Sequence, residues 1–299
     1  MKVSGCTFLR NGCRLGYPFV PSIRSILPLV DEFVVALGPS DDGTEEALAG
    51  IGDPKVRIIR TTWNEHIRND LGVKGFVYGQ QKSIALFNCT GDWAFYLEGD
   101  EVVHEEDLPA IRATMERFLE DDRVEAMVFD YLHFYGNGNT VAWSPAWYRR
   151  APRILRNTIP AWAPKGLFFT VLDSHKRSRY PRAVHAGGRI FHYGWVRGRE
   201  QIQAARDQNH RFWSANGVVI DLDAIDPEIL QGFTGSHPAV IRDWLPEETG
   251  RFVPAGSHAL TRREKKHRAM LRLEQCLALE LTKKHYRPAY GPWWDLYRK

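Results

Sequence analysis

Apolar runs of four to seven residues recur through the first hundred positions, separated by stretches in which apolar residues return at helical spacing. Residues 3–9 read as a strand, and Ile23, Ile26, Leu27 and Val30 predict a helix over 17–29. The run Phe33-Val34-Val35-Ala36-Leu37 has no alternation, as expected of a parallel strand covered on both faces. After the breaker-rich turn Gly38-Pro39-Ser40-Asp41-Asp42-Gly43-Thr44, a helix opens at Thr44. A third strand is predicted over 56–60, a helix over 79–88 and a strand over 93–97. Strand and helix therefore alternate, which argues for a parallel sheet with crossover helices, an α/β layered fold. A helix over 107–121 and a strand over 126–133 follow, and Gly136-Asn137-Gly138-Asn139 signals a hairpin, so the sheet is expected to become mixed. Residues 143–191 hold short apolar pieces and many aromatics, and periodicity assigns no regular elements there. A helix is predicted over 202–213, an acidic, proline-containing stretch over 221–248, and a long helix over 261–285 with Met270, Leu271, Leu273, Leu277 and Leu281 along one side.

A chain of 299 residues, 43% hydrophobic and 25% charged, has ordinary globular composition and suits one main domain with an appendage. Its formal charge of +4 is too slight and too spread for a dedicated nucleic-acid binder, yet allows a local basic site for a diphosphate. Cys6, Cys13, Cys89 and Cys276 form no C-x-x-C pair, which argues against a zinc knuckle or redox dithiol and for buried free thiols. The opening Met1-Lys2-Val3 lacks an export pattern, and no run approaches the roughly 18 apolar residues of a membrane span. A cytoplasmic location is expected, with any membrane contact peripheral.

Leu97-Glu98-Gly99-Asp100-Glu101 follows the strand at 93–97, at the carboxyl end where ligands gather in open α/β sheets. Side chains alternate in an extended segment, so Glu98 and Asp100 project to one side while Gly99 keeps the backbone low between them. Two carboxylates facing one cleft repel, and a divalent cation relieves that repulsion. Hard oxygen ligands favour Mg2+ or Mn2+. An acidic cluster after a strand is also an ordinary surface turn, so the pattern by itself leaves both readings open.

The chain resembles the family 2 glycosyltransferases, which have the GT-A fold. The resemblance rests on Arg10-Asn11, Ser40-Asp41-Asp42-Gly43-Thr44, the run from Gly91 to Glu101, Ala151-Pro152-Arg153-Ile154-Leu155-Arg156-Asn157, and His192-Tyr193-Gly194-Trp195, in that family's order. It spans about residues 1–211, and the acidic run is its most specific part. It implies a Rossmann-like mixed sheet flanked by helices over residues 1–215, with a helical C-terminal extension over 216–299. It also implies a nucleotide-diphospho-sugar donor bound by the early strands, and a glycan or lipid-linked acceptor such as those of polysaccharide biosynthesis.

By this resemblance Asp100 holds the cation that bridges the donor diphosphate, and Glu98 replaces the more usual Asp near the ribose or metal shell. Glu101, pointing the other way, orients the motif from behind. His192 resembles the family's late histidine, a further metal or diphosphate ligand, although a lone His is often a satisfied structural residue. Asn11, Asp41, Asp42 and Lys82 correspond to donor-contacting positions. Leu37 stands where the family usually has Asp, so the nucleotide contact would pass to Asp41 or Asp42; a plain turn and helix cap explains the same residues. Inversion at the anomeric carbon needs a general base, and Asp173 is the carboxylate favoured for it, with His175 as alternative. Arg153 and Arg156 are expected at a strand edge beside the cleft, and Trp143, Trp147, Tyr148 and Trp162 either stack on sugar or pack in the core.

Two other readings compete. A sugar nucleotidyltransferase shares the layered fold but needs a Gly-rich loop with Arg after the first strand, and residues 9–15 hold one Gly. A noncatalytic carbohydrate- or membrane-binding module would need aromatics without a metal-diphosphate site. The basic run Arg262 to Arg268, with Trp293, Trp294, Tyr297, Arg298 and Lys299, suits an anionic membrane surface, or is the solvated face of a packed helix.

Overall fold

A computed structural model describes residues 1–67, 74–213 and 220–292. Strands β1 (Val3–Leu9), β2 (Glu32–Leu37) and β3 (Val56–Arg60) alternate with helices α1 (Phe19–Ile26), α2 (Thr44–Ala49) and α3 (Phe76–Phe87). Then come β4 (Trp93–Tyr96), β5 (Glu101–Val103), α4 (Leu108–Arg117), β6 (Ala126–Tyr135), β7 (Asn137–Ala142), β8 (Arg150–Arg156), β9 (Ala161–Lys165), β10 (Phe168–Leu172), β11 (Ser178–Arg179) and β12 (Arg182–Trp195). The chain finishes with α5 (Arg199–Trp213), β13 (Leu230–Gly232), α6 (Arg262–Leu277) and β14 (Arg287–Pro288).

The main sheet runs β13-β7-β6-β8-β4-β1-β2-β3, with β12 on the other side of β6, where it also pairs with β5 and β14. β4, β1, β2 and β3 are parallel, and β8 enters antiparallel between β4 and β6. The fold is a mixed α/β sheet flanked by helices. Along the parallel strands alternate residues go to opposite layers: Phe33, Val35, Leu37, Trp93 and Phe95 join α1 and α4, whereas Val34, Ala36, Ala94 and Tyr96 face α3 and β10. Two-sided burial is the physical reason β2 and β4 read as apolar runs. Gly5 makes this possible at one point, since a Cβ there would lie 2.4 Å from the Phe33 ring.

Several boundaries differ from the pattern reading. α1 is shorter than 17–29: Pro18 is its N-cap, and Pro28, which has no backbone N–H to continue the helical bonds, follows the C-cap Leu27. α3 begins three residues before Gly79, which lies inside the helix, where its missing Cβ admits the β9 backbone: an added Cβ would meet Ala163 O at 2.6 Å. The interval 143–191 proves rich in strands, β8 to β12. α6 starts where expected, with Thr261 and Glu264 forming a capping box, but stops at Leu277 instead of 285, where Ala278 turns left-handed at φ 51°. Its buried residues are Leu271 and Glu274, while Leu273 and Leu277 of the apolar side are exposed. The Glu274 carboxylate accepts from Leu281 N and from Arg149, so a buried ion pair rather than an apolar stripe docks this helix.

The residues expected to form a C-terminal extension supply β13 and β14 to the main sheet, and the expected boundary near residue 215 lies outside the described residues, as do Trp293, Trp294, Tyr297, Arg298 and Lys299. Cys6 and Cys89 are buried, but Cys13 and Cys276 are exposed, which corrects the expectation for those two. Among the described residues no helix is long and apolar enough to cross a membrane.

Candidate functional site

The carboxyl ends of β1 and β4 open onto a cavity of about 440 Å3. Its floor includes Glu98, Gly99 and Asp100, the far side His192, Gly194 and Arg197, and the inner wall Phe8, Trp63, Tyr78 and Tyr96.

The acidic turn between β4 and β5 closes on itself. Glu101 N donates to Glu98 O at 3.0 Å, and Glu98 N donates back to the Glu101 carboxylate at 3.0 Å. Ser22 of α1 holds Glu98 O from the other side at 3.0 Å. Behind the turn Glu101 meets Arg153 in a fork, Nε to Oε2 at 2.7 Å and Nη2 to Oε1 at 2.6 Å, and accepts from Tyr131 Oη at 2.9 Å. Burial alone would raise the Glu101 pKa, but the charge and hydrogen bonds of Arg153 outweigh it and bring it down to about 2.

Asp100 has the opposite surroundings. It is buried, and among the described residues no arginine or lysine pairs with its carboxylate; the His192 ring stands beside it, Nε2 to Oδ2 at 3.7 Å. Desolvation lifts its pKa to about 6, with Arg197 pulling down and Glu101 pushing up. Glu98 is raised as well, first by desolvation and then by Glu101, although Arg153 and Lys82 stand 3.4 and 3.7 Å from its carboxylate. The cavity thus has a floor of two under-compensated carboxylates.

His192 reaches the site through strand register. β12 pairs antiparallel with β5, which sets His192 opposite Glu101, and parallel with β6, which sets it opposite His133. Tyr193 N donates to Asp100 O at 2.8 Å and ties β12 to the acidic turn. Burial lowers the pKa of His192 to about 4, so the ring is neutral and able to offer a lone pair.

A divalent cation fits here on two grounds. A Cβ at Gly194 would lie 2.8 Å from Asp100 Oδ2 and 3.0 Å from His192 Nε2, so glycine leaves open the space between the two donors. A carboxylate oxygen and a neutral imidazole nitrogen also suit Mn2+ or Mg2+. Among the described residues no three His, Cys, Asp or Glu side chains form a cage, so ligands from outside the chain would have to complete the shell.

Of the residues singled out in the sequence, Glu98, Asp100 and His192 meet at this cavity. Lys82, Asn11, Asp41, Asp42 and Asp173 do not line it. Lys82 is fully buried beneath the floor, donating to Gly166 O at 3.0 Å and lying 4.1 Å from the Tyr96 ring centre, and desolvation depresses its pKa to about 8. Asn11 adopts φ 54° and donates through Nδ2 to Gln208. Asp41 pairs on the surface with Arg14, and Asp42 accepts from Arg14 N and from the Thr44 hydroxyl, so this segment acts as a turn and helix cap. Asp173 is in the β10–β11 turn, accepting from His175 N and Arg177 N at 2.9 Å each.

Arg153 and Arg156 are not edge residues. Arg156 is buried and donates to carbonyl oxygens of Phe118, Leu119, Asp121 and Val124, closing the end of α4. Of the four aromatics, Tyr148 lines the cavity, whereas Trp147 packs on His133, Tyr135 and Trp195. Pattern reading passed over His133 and Arg197. Arg197, five residues after His192, donates to Leu15 O and Gly194 O, and its guanidinium carbon is 4.2 Å from the Tyr17 ring centre. Proximity to the His192 segment was the available signal for it.

No protein-family model matches the chain, and no curated protein sequence does. Among solved structures, it is similar to S. aureus TarS in complex with UDP-GlcNAc, at 18% identity over 52% of this chain and 46% of that one, with a TM-score of 0.35. It is also similar to glucosyl-3-phosphoglycerate synthase from Mycobacterium tuberculosis in complex with Mn2+, UDP and phosphoglyceric acid, at 21% identity over 46% of this chain and 44% of that one, with a TM-score of 0.30. The chain spans less than half the length of each of these two proteins.

Proposed function

We propose that this protein is a glycosyltransferase that takes a sugar from a nucleotide-diphospho-sugar and passes it to an acceptor hydroxyl, with Mn2+ or Mg2+ held by Asp100 and His192. The observation that carries the reading is the gap at Gly194 between an uncompensated carboxylate and a neutral imidazole, at the carboxyl end of the parallel strands. When bound, the cation would supply charge stabilisation to the departing nucleoside diphosphate. Asp100 and His192 would orient it, and Arg197 would add positive charge on the same side of the cavity. Glu98, lifted toward neutrality, is suited to accept or donate a hydrogen bond to the donor ribose. Phe8, Trp63 and Tyr78 give the inner wall aromatic faces suited to a planar base.

On this reading residues 1–215 form the catalytic domain, and residues 216–299 are an extension that braces it through β13 and the Arg149–Glu274 pair. Transfer with inversion is the stereochemical outcome that goes with the family resemblance, and a glycan or lipid-linked hydroxyl is the acceptor.

Thermal unfolding with a panel of nucleoside diphosphates, each with and without Mn2+, tests the proposal. One nucleotide is expected to raise the midpoint by several degrees only when Mn2+ is present, because a ligand selective for the folded state stabilises by mass action. The gain should vanish in Asp100→Asn. An equal gain in that variant rejects the metal site, and no response to any nucleotide favours a noncatalytic module.

A further inference from the structure

We infer that His133 is a positioning residue that fixes the tautomer of His192, so that Nε2 of His192 presents a lone pair to the cation. The inference rests on the metal-site reading above.

Its geometry follows from one fixed point. Nε2 of His133 is 2.7 Å from Tyr148 O, and a backbone carbonyl can only accept, so that nitrogen carries a hydrogen. Neutral imidazole has one N–H, which leaves Nδ1 of His133 with a lone pair. Nδ1 of His192 lies 3.1 Å from it, within hydrogen-bonding distance. The proton between these two nitrogens therefore belongs to His192. Its Nε2 is then bare, and this nitrogen faces Asp100 and the space kept open by Gly194.

The opposite tautomer of His192 would leave two lone pairs facing each other across 3.1 Å and would put an N–H toward Asp100 at 3.7 Å, too far for a good hydrogen bond. It would also aim a hydrogen at the cation. The His133 ring is buried, and among the described residues its two nitrogens meet the Tyr148 carbonyl and the His192 ring, neither of them a carboxylate that would hold a second proton. The ring has little freedom to turn away, since it is held between Tyr131 at 5.3 Å and Tyr148 at 4.7 Å. The parallel register of β6 and β12, which pairs His133 with His192, builds the relay into the sheet. A metal-bound histidine commonly has its second nitrogen held by a carbonyl or carboxylate, which fixes the ring and strengthens it as a ligand. Here an imidazole stands between the ligand and the carbonyl.

The test begins on the full-length, metal-free protein with 15N-labelled histidine. Long-range proton–nitrogen spectra should show an Nε2–H tautomer for His133 and an Nδ1–H tautomer for His192. An Nε2–H tautomer at His192 overturns the inference, whatever the protein binds. Titration with Mn2+ alone, followed by paramagnetic broadening of the His192 ring signals, then tests the consequence. His133→Phe keeps a flat ring but removes the acceptor, and should weaken Mn2+ binding about 10- to 100-fold. His133→Asn, whose side-chain oxygen can take over from Nδ1, should stay within a few-fold of wild type. Equal Mn2+ affinity in wild type and His133→Phe overturns the inference and leaves the metal site standing. If the wild-type His192 signals do not respond to Mn2+, the metal site falls, and the relay's role toward a cation falls with it.

Discussion

The two sides of the Glu98–Glu101 turn are made of the same chemistry and behave in opposite ways. On the back, Glu101 is sealed against Arg153 and Tyr131, every bond is made within the chain, and its pKa is brought down to about 2. On the front, Asp100 is nearly as buried but has no comparable cation, and its pKa is held up at about 6. Glu98 to Glu101 is a closed turn rather than the extended segment expected from the sequence, and it presents Asp100 to the cavity and Glu101 to the core, so one backbone still serves both environments. The back resembles a structural ion pair, complete in the folded protein. The front keeps an electrostatic debt that only something from solution can relieve.

The largest effect should come from breaking the back. Arg153→Met would leave Glu101 buried without its partner, which typically costs about 3 to 5 kcal/mol. Urea unfolding should show that loss, and a loss below about 1 kcal/mol would mean that the pair is not what holds the turn. On the front, Gly194→Ala should place a methyl group between Asp100 and His192. Folding stability should change little beside the Arg153 variant, while Mn2+ affinity by calorimetry should fall by about tenfold or more. A variant that binds Mn2+ as well as wild type would move the cation away from that gap.

The smallest effect separates the two faces by pH in the metal-free protein. Asp100 has a folded pKa of about 6, above the unfolded value of about 3.9, so the folded state takes up its proton first. Stability from this group rises as pH falls from 7 toward 4. Glu101 has a folded pKa of about 2, below the unfolded value of about 4.3, so its contribution is full above pH ~4.3 and is lost as pH falls through the folded value. Unfolding midpoints should therefore rise from pH 7 to 5 in wild type relative to Asp100→Asn, and both proteins should lose stability below about pH 4. A wild type that tracks Asp100→Asn between pH 7 and 5 would mean that the front carries no excess proton affinity.

Much of the fold was legible because its cause is local. β2 and β4 follow from runs of apolar residues, and the helix expected from 261 begins at Arg262. What was misread involved a partner far along the chain. Gly79 looked like a helix start because the β9 strand that needs its small size lies more than eighty residues away. Lys82 corresponded to a donor-contacting position, yet it packs on Tyr96 and Phe169 beneath the floor. Arg153 looked like a cleft residue because its carboxylate, 52 positions earlier, faces inward.

The sequence by itself determined the alternation of strand and helix and the place of the acidic turn at a strand end, since each depends on patterns over a few residues. Only the tertiary structure decided which face became a closed ion pair and which an open site. That choice depends on register between strands distant in the chain, which brings Arg153 behind the turn and sets His192 beside both Asp100 and His133. Periodicity says which side a residue faces, but the neighbour that waits there is set by the sheet.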